Sequence, residues 1–531
     1  MGSVETSAVA ALASFGSAPV AGRPSLVFVG FMGAGKSTAA ALAADALGEP
    51  ALDTDQLLEG ELGESVESFF DREGEEAFRA REEELVLRVL ARPDAGVVAL
   101  GGGALGSERV RAALAEHLVV WLEVEAEEAW RRVAQGARPL ARDRERFALL
   151  HGERQPVYAA IADAVVPAGG SPDEVLAALP ALGALREQVS GDGDRLRLVW
   201  ATSASTSYPV FVGRGALGRG IFHPTDGRRF VVADERVAAL HRLSGDWSLS
   251  VPAGEAEKTL GRAEEVLRAM ARDGVSRHDL VVAFGGGVVG DLAGFCAAVY
   301  QRGVRCVQVP TTLVAQVDSA YGGKTGVDLP EAKNYVGAYH QPSAVLVDPG
   351  VLETLPPEEV AAGYAEVVKT ALIAGGSLWE RVRSGADPTA EEVITGCLRT
   401  KLAVVAEDER DEGRRQVLNL GHTVGHALEA ATGYRRLRHG EAVALGLLCV
   451  LRLSGREALR EEVAALLSAR GLPARLEGVG VDEVVDLVAR DKKRRGGSVP
   501  FVLVDAPGKV LPGHAVEEGA LRAAIAEVTA A

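Results

Sequence analysis

The sequence predicts an α/β chain made of two successive units. The first is a P-loop-type parallel sheet; the second is two-part, with a Rossmann-like α/β half and an all-helical half. Three observations carry this. Short buried-strand patterns alternate with helical ones from Leu26 onward, the layout of a parallel sheet. Residues 30–38 (GFMGAGKST) fit G-x-x-x-x-G-K-[ST] between a strand and a helix. Far downstream, Glu366, the run NLGHTVGH (419–426) and HGEA (439–442) gather metal-type donors among long amphipathic helices.

Size and composition bound the rest. At 531 residues the chain exceeds one hydrophobic core. Hydrophobic content of 47% and charged content of 25% are those of a soluble protein. A net charge of −17 argues against a general nucleic-acid binder, which needs a basic face, yet allows cations to gather locally around a small anion. Cys296, Cys306, Cys397 and Cys449 lack C-x-x-C spacing and read as reduced, buried thiols of a cytoplasmic protein. No apolar run approaches the roughly 20 residues of a membrane span. Residues 1–23 read as a disordered leader, because no basic segment precedes their apolar stretch as it would in a signal peptide.

In order along the chain, LVFV (26–29) is a buried strand and the glycine loop follows it. Gly30 and Gly35 let backbone N–H groups turn inward around phosphates. Gly33, Gly35, Lys36, Ser37 and Thr38 are therefore candidates for holding a nucleotide, with Lys36 reaching the β- and γ-phosphates and Ser37 ligating Mg²⁺. DTD (53–55) follows an apolar stretch. Read as extended, it puts the Asp53 and Asp55 carboxylates on one side, one for Mg²⁺ and one to accept a hydroxyl proton; read as a helix N-cap cluster, it is structural. Arg79 and Glu82 share a helical face, a spacing most common in surface ion pairs. Strand patterns recur at 97–100 and 118–124, a helix is expected over 173–188, and 187–196 is a polar, glycine-rich linker.

A second α/β pattern follows, with strands at 230–235, 280–287 and 304–310, and gives way to helices from about residue 357. GGGVVG (285–290) fits G-x-G-x-x-G after a strand. It is a weak signal alone: no acid stands about 20 positions on, and the earlier Asp234 is the alternative ribose partner. His422 and His426 share a face if helical, and with His439 and Glu366 they fit an open Zn²⁺ site or a structural histidine pair. Lys324, Lys333, Lys369, Lys401, Arg415, Lys492 and Lys493 lie in or beside apolar stretches, either as solvated charges or as a converging anion site.

Two family resemblances sharpen these readings. Residues 24–186 resemble shikimate kinase, a P-loop kinase-type fold, through GFMGAGKST, DTD, GE..FR..E (74–82), GGG (101–103), RPL (138–140) and ER.P.Y (153–158). The resemblance implies ATP and Mg²⁺, shikimate held by Asp55, Arg79, Gly101, Gly102, Gly103 and Arg154, and Asp53 in the Mg²⁺ shell. It makes Asp55 and Lys36 catalytic, with Arg138 on a lid, and turns Arg131 toward the adenine. The lid is a few residues shorter than usual, with Ala141 where Leu is common.

Residues from about 197 to 520 resemble 3-dehydroquinate synthase through FGGGVVGDLAGF (284–295), the run from Arg302 to Val327, KN..GA.HQP (333–342), AEVVK (365–369), LNLGHTVGHALE (418–429), HGEAVA.G (439–446) and DKK (491–493). That implies an NAD-binding half (197–356) and a metal- and substrate-binding half (357–531). Glu366, His422 and His439 would bind Zn²⁺ or Co²⁺. Asp234, Glu255, Lys258, Gly286, Gly287, Asp291, Thr311 and Thr312 would line the NAD site. Asp318, Lys369, Lys401 and Asn419 would face the carbocycle of a heptulosonate phosphate. Lys324, Lys333, Asn334, Arg415, His426 and Lys492 or Lys493 would hold its anionic groups, with Arg302 reaching across a homodimer interface. Asp328 stands where the family often has Asn, and Asp411 where it has Glu. The rival reading is a related sugar-phosphate cyclase or polyol dehydrogenase fused to a silent P-loop module.

Overall fold

A computed structural model describes residues 23–133, 143–169, 172–189, 195–219, 226–494 and 499–530. Residues 1–22 of the leader and 190–194 of the expected linker, with Arg138 and Ala141 of the expected lid, lie outside the described residues. The chain forms two compact units, Met1–Ala201 with Ser207–Phe211, and Thr202–Thr206 with Val212–Ala531. Among the described residues no helix is long and apolar enough to cross a membrane.

In the first unit, β1 (Leu26–Val29) is fully buried and pairs in parallel with β3 (Val97–Ala99) on one side and β4 (Leu118–Glu123) on the other. A strand covered on both faces reads as a continuous apolar run, as LVFV does. β2 (Ala51–Asp53) extends the sheet beyond β3, and β5 (Ala164–Pro167) extends it beyond β4. The next strands, β6 (Arg197–Thr202) and β7 (Ser207–Val212), follow β5 in the strand order. The helices that matter for the site are α1 (Lys36–Leu47), α2 (Thr54–Leu62), α3 (Val66–Leu90), α4 (Ala126–Val133) and α5 (Arg144–Ile161). A methyl group at Gly30 would stand 2.6 Å from the Leu122 carbonyl, whereas Gly35 faces open space at φ 83°. The first glycine thus packs the loop against β4, and the second turns backbone N–H groups outward at the start of α1.

In the second unit, β8 (Arg229–Asp234), β9 (Trp247–Val251), β10 (Leu280–Gly285), β11 (Arg305–Pro310) and β14 (Ala344–Val347) form a parallel sheet in the order β14-β11-β10-β8-β9. Helix α6 (Leu260–Arg272) and helix α7 (Gly287–Val299) cover it, with Val266, Val289 and Leu292 in one core with Val281 and Phe230. An antiparallel hairpin, β12 (Lys324–Leu329) and β13 (Ala332–Tyr339), precedes β14. The remainder is built on α8 (Pro357–Ala374), α9 (Glu391–Glu407), α10 (His422–Ala431), α11 (His439–Leu453) and α12 (Val481–Arg494). To this helical half the structure adds a hairpin, β15 (Phe501–Ala506) with β16 (Lys509–His514). Its strands alternate apolar and polar residues weakly, so periodicity alone does not show them. All four cysteines are free and buried, and burial pushes the thiols of Cys296, Cys306 and Cys449 up to about 12.

Glycines set the helix spacing. A methyl group at Gly440 would overlap the Ala362 carbonyl of α8, and one at Gly446 would overlap the Gly421 carbonyl at the start of α10. Both contacts are backbone to backbone, so no side-chain rearrangement relieves them. Gly440→Ala is expected to destabilise the protein by about 1–3 kcal/mol through overpacking, read from urea unfolding. A change below a few tenths would show that α11 can slide along α8.

Candidate functional site

In the first unit DTD straddles a strand–helix junction, which corrects the extended reading. Asp53 ends β2, and its Oδ1 accepts the N–H groups of Asp55 (3.0 Å) and Gln56 (3.2 Å) as the cap of α2. Asp55 sits in the first helical turn. Unpaired N–H groups at a helix start attract a carboxylate more strongly than the alternation of a short strand constrains it. Between the two acids, buried Thr54 donates to the Ala99 carbonyl (3.3 Å) and accepts from Gly101 N–H (2.9 Å), tying α2 to the glycine triplet. Sequence reasoning passed over Thr54, since a hydroxyl between two acids carries no signal of its own.

The triplet is a shelf on which side chains converge. A methyl group at Gly101 would stand 2.5 Å from Asp55 Oδ1 and 2.5 Å from Glu82 Oε1, and one at Gly103 would overlap the Arg79 guanidinium. Arg79 pairs with Glu82 at 2.6 Å. This is no surface pair: Glu82 is only 4% exposed. Burial raises its pKa, with Asp55 adding and Arg79 opposing. Arg154 on α5 donates to Gly102 O (2.7 Å), as does the buried Tyr158 hydroxyl (3.2 Å). Arg79, Glu82, Gly102, Gly103, Arg154 and Tyr158 line one open cleft of about 1150 Å³. Phe31 of the phosphate loop packs edge-on to Phe147 at 4.9 Å and lies under Arg154 at 5.8 Å, so the loop and the cleft share one aromatic cluster.

Lys36 donates to the carbonyls of Gly30 (3.0 Å) and Phe31 (3.2 Å), while Ser37 and Thr38 are exposed at the start of α1. Arg131 is exposed, 72% for its side chain, and pairs with Glu128 on its own helix. The next residue, Arg132, reaches Gly33 O at 3.1 Å.

In the second unit, parallel register brings Asp234, Gly285–Gly286 and Thr311 to the same C-terminal edge of β8, β10 and β11. Ligands in open α/β sheets bind at that edge. Gly286 and Gly287 open α7; methyl groups there would meet Thr312 Cγ2 at 2.8 Å and Ser319 Oγ at 2.9 Å. The buried Thr311 hydroxyl has no hydrogen-bond partner among the described residues. Asp234 Oδ1 caps the helix Glu235–Leu240, accepting from Arg236 and Val237 N–H. Lys258, buried, pairs with Asp291 (2.5 Å) and donates to Asn334 (2.5 Å). These residues fit a dinucleotide: a helix N-terminus, an orphan hydroxyl and an edge acid lie together.

Glu366, fully buried on α8, is the centre of the other cluster. Its Oε1 lies 3.6 Å from His422 Nε2 and 3.4 Å from His439 Nε2. One donor atom from each of the three falls within 4.8 Å of the others. Lys369 Nζ approaches Oε2 at 2.5 Å, yet neither carboxylate oxygen accepts a well-directed hydrogen bond. His422 Nδ1 faces Leu420 O at 3.1 Å, which turns Nε2 toward the cluster. A carboxylate and two imidazoles with open directions fit a divalent cation of the zinc type. Although burial opposes it, Lys369 and the two histidines hold the Glu366 carboxyl well below its usual range. Burial likewise lowers His422 to about 3. Glu441, in HGEA, is no ligand candidate but a helix cap, accepting from Arg438 N–H at 2.7 Å.

Around the cluster, Lys369 lies 3.2 Å from Asp318 Oδ2, and Lys401 donates to Asp318 O at 2.6 Å. Asn419 ends the turn Arg414–Asn419, half-buried beside His422 in the chain. His426 lies with its ring 5.4 Å from that of His422 and 6.0 Å from that of His439. Lys333 pairs with Glu429 (3.3 Å) and Glu255 (3.5 Å). Lys324 pairs with Asp411. Arg415 is buried with its terminal nitrogens on the carbonyls of Gly322 and Glu409 and its Nε unpartnered, so it is committed to the backbone here. Arg302 is exposed in a left-handed turn, φ 66°. Lys492 and Lys493 fall in α12, their side chains outside the described residues.

Known proteins bear on both units. Residues 32–180 match the Shikimate kinase family; residues 248–362 match 3-dehydroquinate synthase N-terminal and 363–494 match 3-dehydroquinate synthase C-terminal. A 3-dehydroquinate synthase of Halorhodospira halophila is 44% identical over 334 residues, 59% of this chain and 94% of that protein. One of Paracoccus denitrificans is 43% identical over 355 residues, 60% of this chain and 96% of that protein. Among solved structures, a 2-epi-5-epi-valiolone synthase of Streptomyces hygroscopicus, with NAD⁺ and Zn²⁺ bound, aligns with a TM-score of 0.56 at 27% identity, covering 62% of this chain and 99% of its own.

The loop that holds Arg415 depends on Asp408, which accepts the N–H groups of Glu412 (3.0 Å), Gly413 (2.8 Å) and Arg415 (3.0 Å). Those bonds, the one from Arg415 first, lower its pKa to about 2. The folded value lies below the unfolded value of about 3.9, so the contribution is present above about pH 4 and lost as pH falls toward 2. Asp408→Asn is expected to be less stable than wild type at pH 7 in urea unfolding, with the gap closing between pH 4 and pH 2. A gap independent of pH would assign the effect to shape rather than charge.

Proposed function

The chain belongs to the 3-dehydroquinate synthase family and carries a shikimate kinase domain ahead of it; from that premise we propose that one polypeptide phosphorylates shikimate with ATP and converts 3-deoxy-D-arabino-heptulosonate 7-phosphate to 3-dehydroquinate with release of phosphate. The observation that carries the second activity is the convergence of Glu366, His422 and His439 on one point.

In the first unit the loop N–H groups, with Arg132 bracing the Gly33 carbonyl, cradle the nucleotide phosphates. Lys36 would swing from its carbonyl partners to the phosphoryl group in transfer, Ser37 and Asp53 would hold Mg²⁺, and Arg138 is assigned to the same phosphoryl group on the family resemblance alone. Asp55 takes the proton of the attacking hydroxyl. Arg79 and Arg154 grip the carboxylate of shikimate against the glycine shelf, a task suited to forked guanidinium groups. Glu82 keeps Arg79 in place from below.

In the second unit Glu366, His422 and His439 would hold Zn²⁺ or Co²⁺, and the edge from Asp234 to Thr312 would hold NAD, with Glu255, Lys258 and Asp291 beside it. Bound there, the dinucleotide would supply reversible hydride transfer and the cation Lewis-acid polarisation of the reacting alcohol. Lys369 and Lys401, both anchored on Asp318, present ammonium groups to the substrate hydroxyls, with Asn419 beside them. Lys324 releases Asp411 to meet the phosphate, with Asn334 and Arg302; Lys492 or Lys493 completes the grip. His426 moves the proton that accompanies phosphate departure. Arg415 supports this pocket in its present conformation by holding Gly322, next to the strand that carries Lys324.

Protein supplied with NAD⁺, Zn²⁺ and the heptulosonate phosphate is expected to release inorganic phosphate without net NADH. Steady NADH accumulation would instead identify a polyol dehydrogenase. A preference for another sugar phosphate would identify a related cyclase, the class of the Streptomyces protein.

The two activities should separate cleanly. Lys36→Ala is expected to lower shikimate-dependent ADP formation by about 10²–10³ while phosphate release is unchanged, and His422→Ala to do the reverse. Loss of both activities in either variant would refute two independent sites. Arg154→Lys should raise KM for shikimate by about tenfold or more, with KM for ATP within twofold; equal shifts in both would place Arg154 on the nucleotide instead.

A further inference from the structure

We propose that Glu429 is a positioning residue for the cation: it receives the Nδ1 proton of His439 and so fixes Nε2 toward Glu366. The inference rests on the metal reading of Glu366, His422 and His439. It starts from a difference between the two histidines. His422 has its Nδ1 on the neutral Leu420 carbonyl, 3.1 Å away. His439 has its Nδ1 3.6 Å from Glu429 Oε1, and its Nε2 faces Glu366 on the other side of the ring. The ring lies between two carboxylates, one near each nitrogen.

Glu429 is placed for this role, though with His426 and His439 it also forms a second group of cation-type donors. It is 2% exposed, where a lone charge is strongly disfavoured. It lies seven residues after His422 on α10, hence on the same face as His422 and His426. Its second compensation is Lys333, at 3.3 Å, which lies over the Tyr434 ring at 4.8 Å and also meets Glu255. An acceptor for the outer nitrogen of a ligating imidazole selects the tautomer, sets the ring angle and raises ligand basicity; loss of such a partner weakens metal binding by about 10–100-fold. His439 is the more exposed of the two histidines, 39% against 12% for their side chains, so its orientation depends more on a directing partner. Lys333 would hold the carboxylate charged, and through Glu255 it links the cation cluster to the dinucleotide edge.

The test uses full-length protein freed of metal. Zn²⁺ affinity is measured by competition with a chromophoric chelator, and Co²⁺ is added separately to read its visible absorption band. Glu429→Leu is expected to weaken Zn²⁺ binding by about 10–100-fold and to shift the Co²⁺ band. Glu429→Gln, which keeps an acceptor without the charge, should fall between Leu and wild type, and it decides the matter if the leucine variant does not fold. Affinities within twofold of wild type with an unchanged Co²⁺ band would overturn the proposal. So would a second equivalent of Co²⁺ that Glu429→Gln abolishes, since Glu429 would then be a ligand together with His426. Zn²⁺ binding that survives His422→Ala would overturn the metal reading, and this inference with it; the Glu429 variants leave that reading standing.

Discussion

The second unit is organised around a negative charge that water does not reach. Glu366 has no exposed surface, and a bare carboxylate in such a place would take up a proton or disrupt the fold. What keeps it ionised is a relay of opposite charges: Lys369 beside it, Asp318 beyond Lys369, and Lys401 beyond Asp318. Because each member leaves a buried charge exposed to its neighbour's loss, the relay is all-or-nothing. It also fixes the positions of two ammonium groups and two imidazoles to within the tolerance of short ion pairs. The candidate site's side chains are therefore held by the same electrostatics that makes the core tolerable.

The first unit solves its positioning problem differently. Its shelf is backbone, three glycines whose missing side chains leave room for Asp55, Glu82 and Arg79 to crowd against the chain itself. One hydroxyl, that of Thr54, joins the end of β2 to the end of β3 and sets the height of that shelf. Phe31 places the phosphate loop and the Arg154 helix in a shared aromatic cluster.

Much of this was legible in the sequence, for identifiable reasons. GFMGAGKST, GGG, HTVGH and HGEA are local patterns whose chemistry depends on residue type and spacing along one element, and the structure brings their residues together. What escaped was of another kind. DTD allowed both an extended and a helix-capping reading, and only the helix that follows it decides between them. Glu82 looked like a surface partner because burial is a property of neighbours distant in the chain. Thr54 gains meaning only through Ala99 and Gly101, far along the chain, and Gly440 only through the carbonyl it abuts.

The sequestration of all four thiols has a practical corollary. With Cys296, Cys306, Cys397 and Cys449 free, buried and, for each of them, shifted toward the protonated form by burial, none offers a nucleophile to solvent at neutral pH. The native chain is thus a silent background for maleimide chemistry, and a fluorophore pair carried on two introduced surface cysteines would report distances between the units without any prior removal of natural ones.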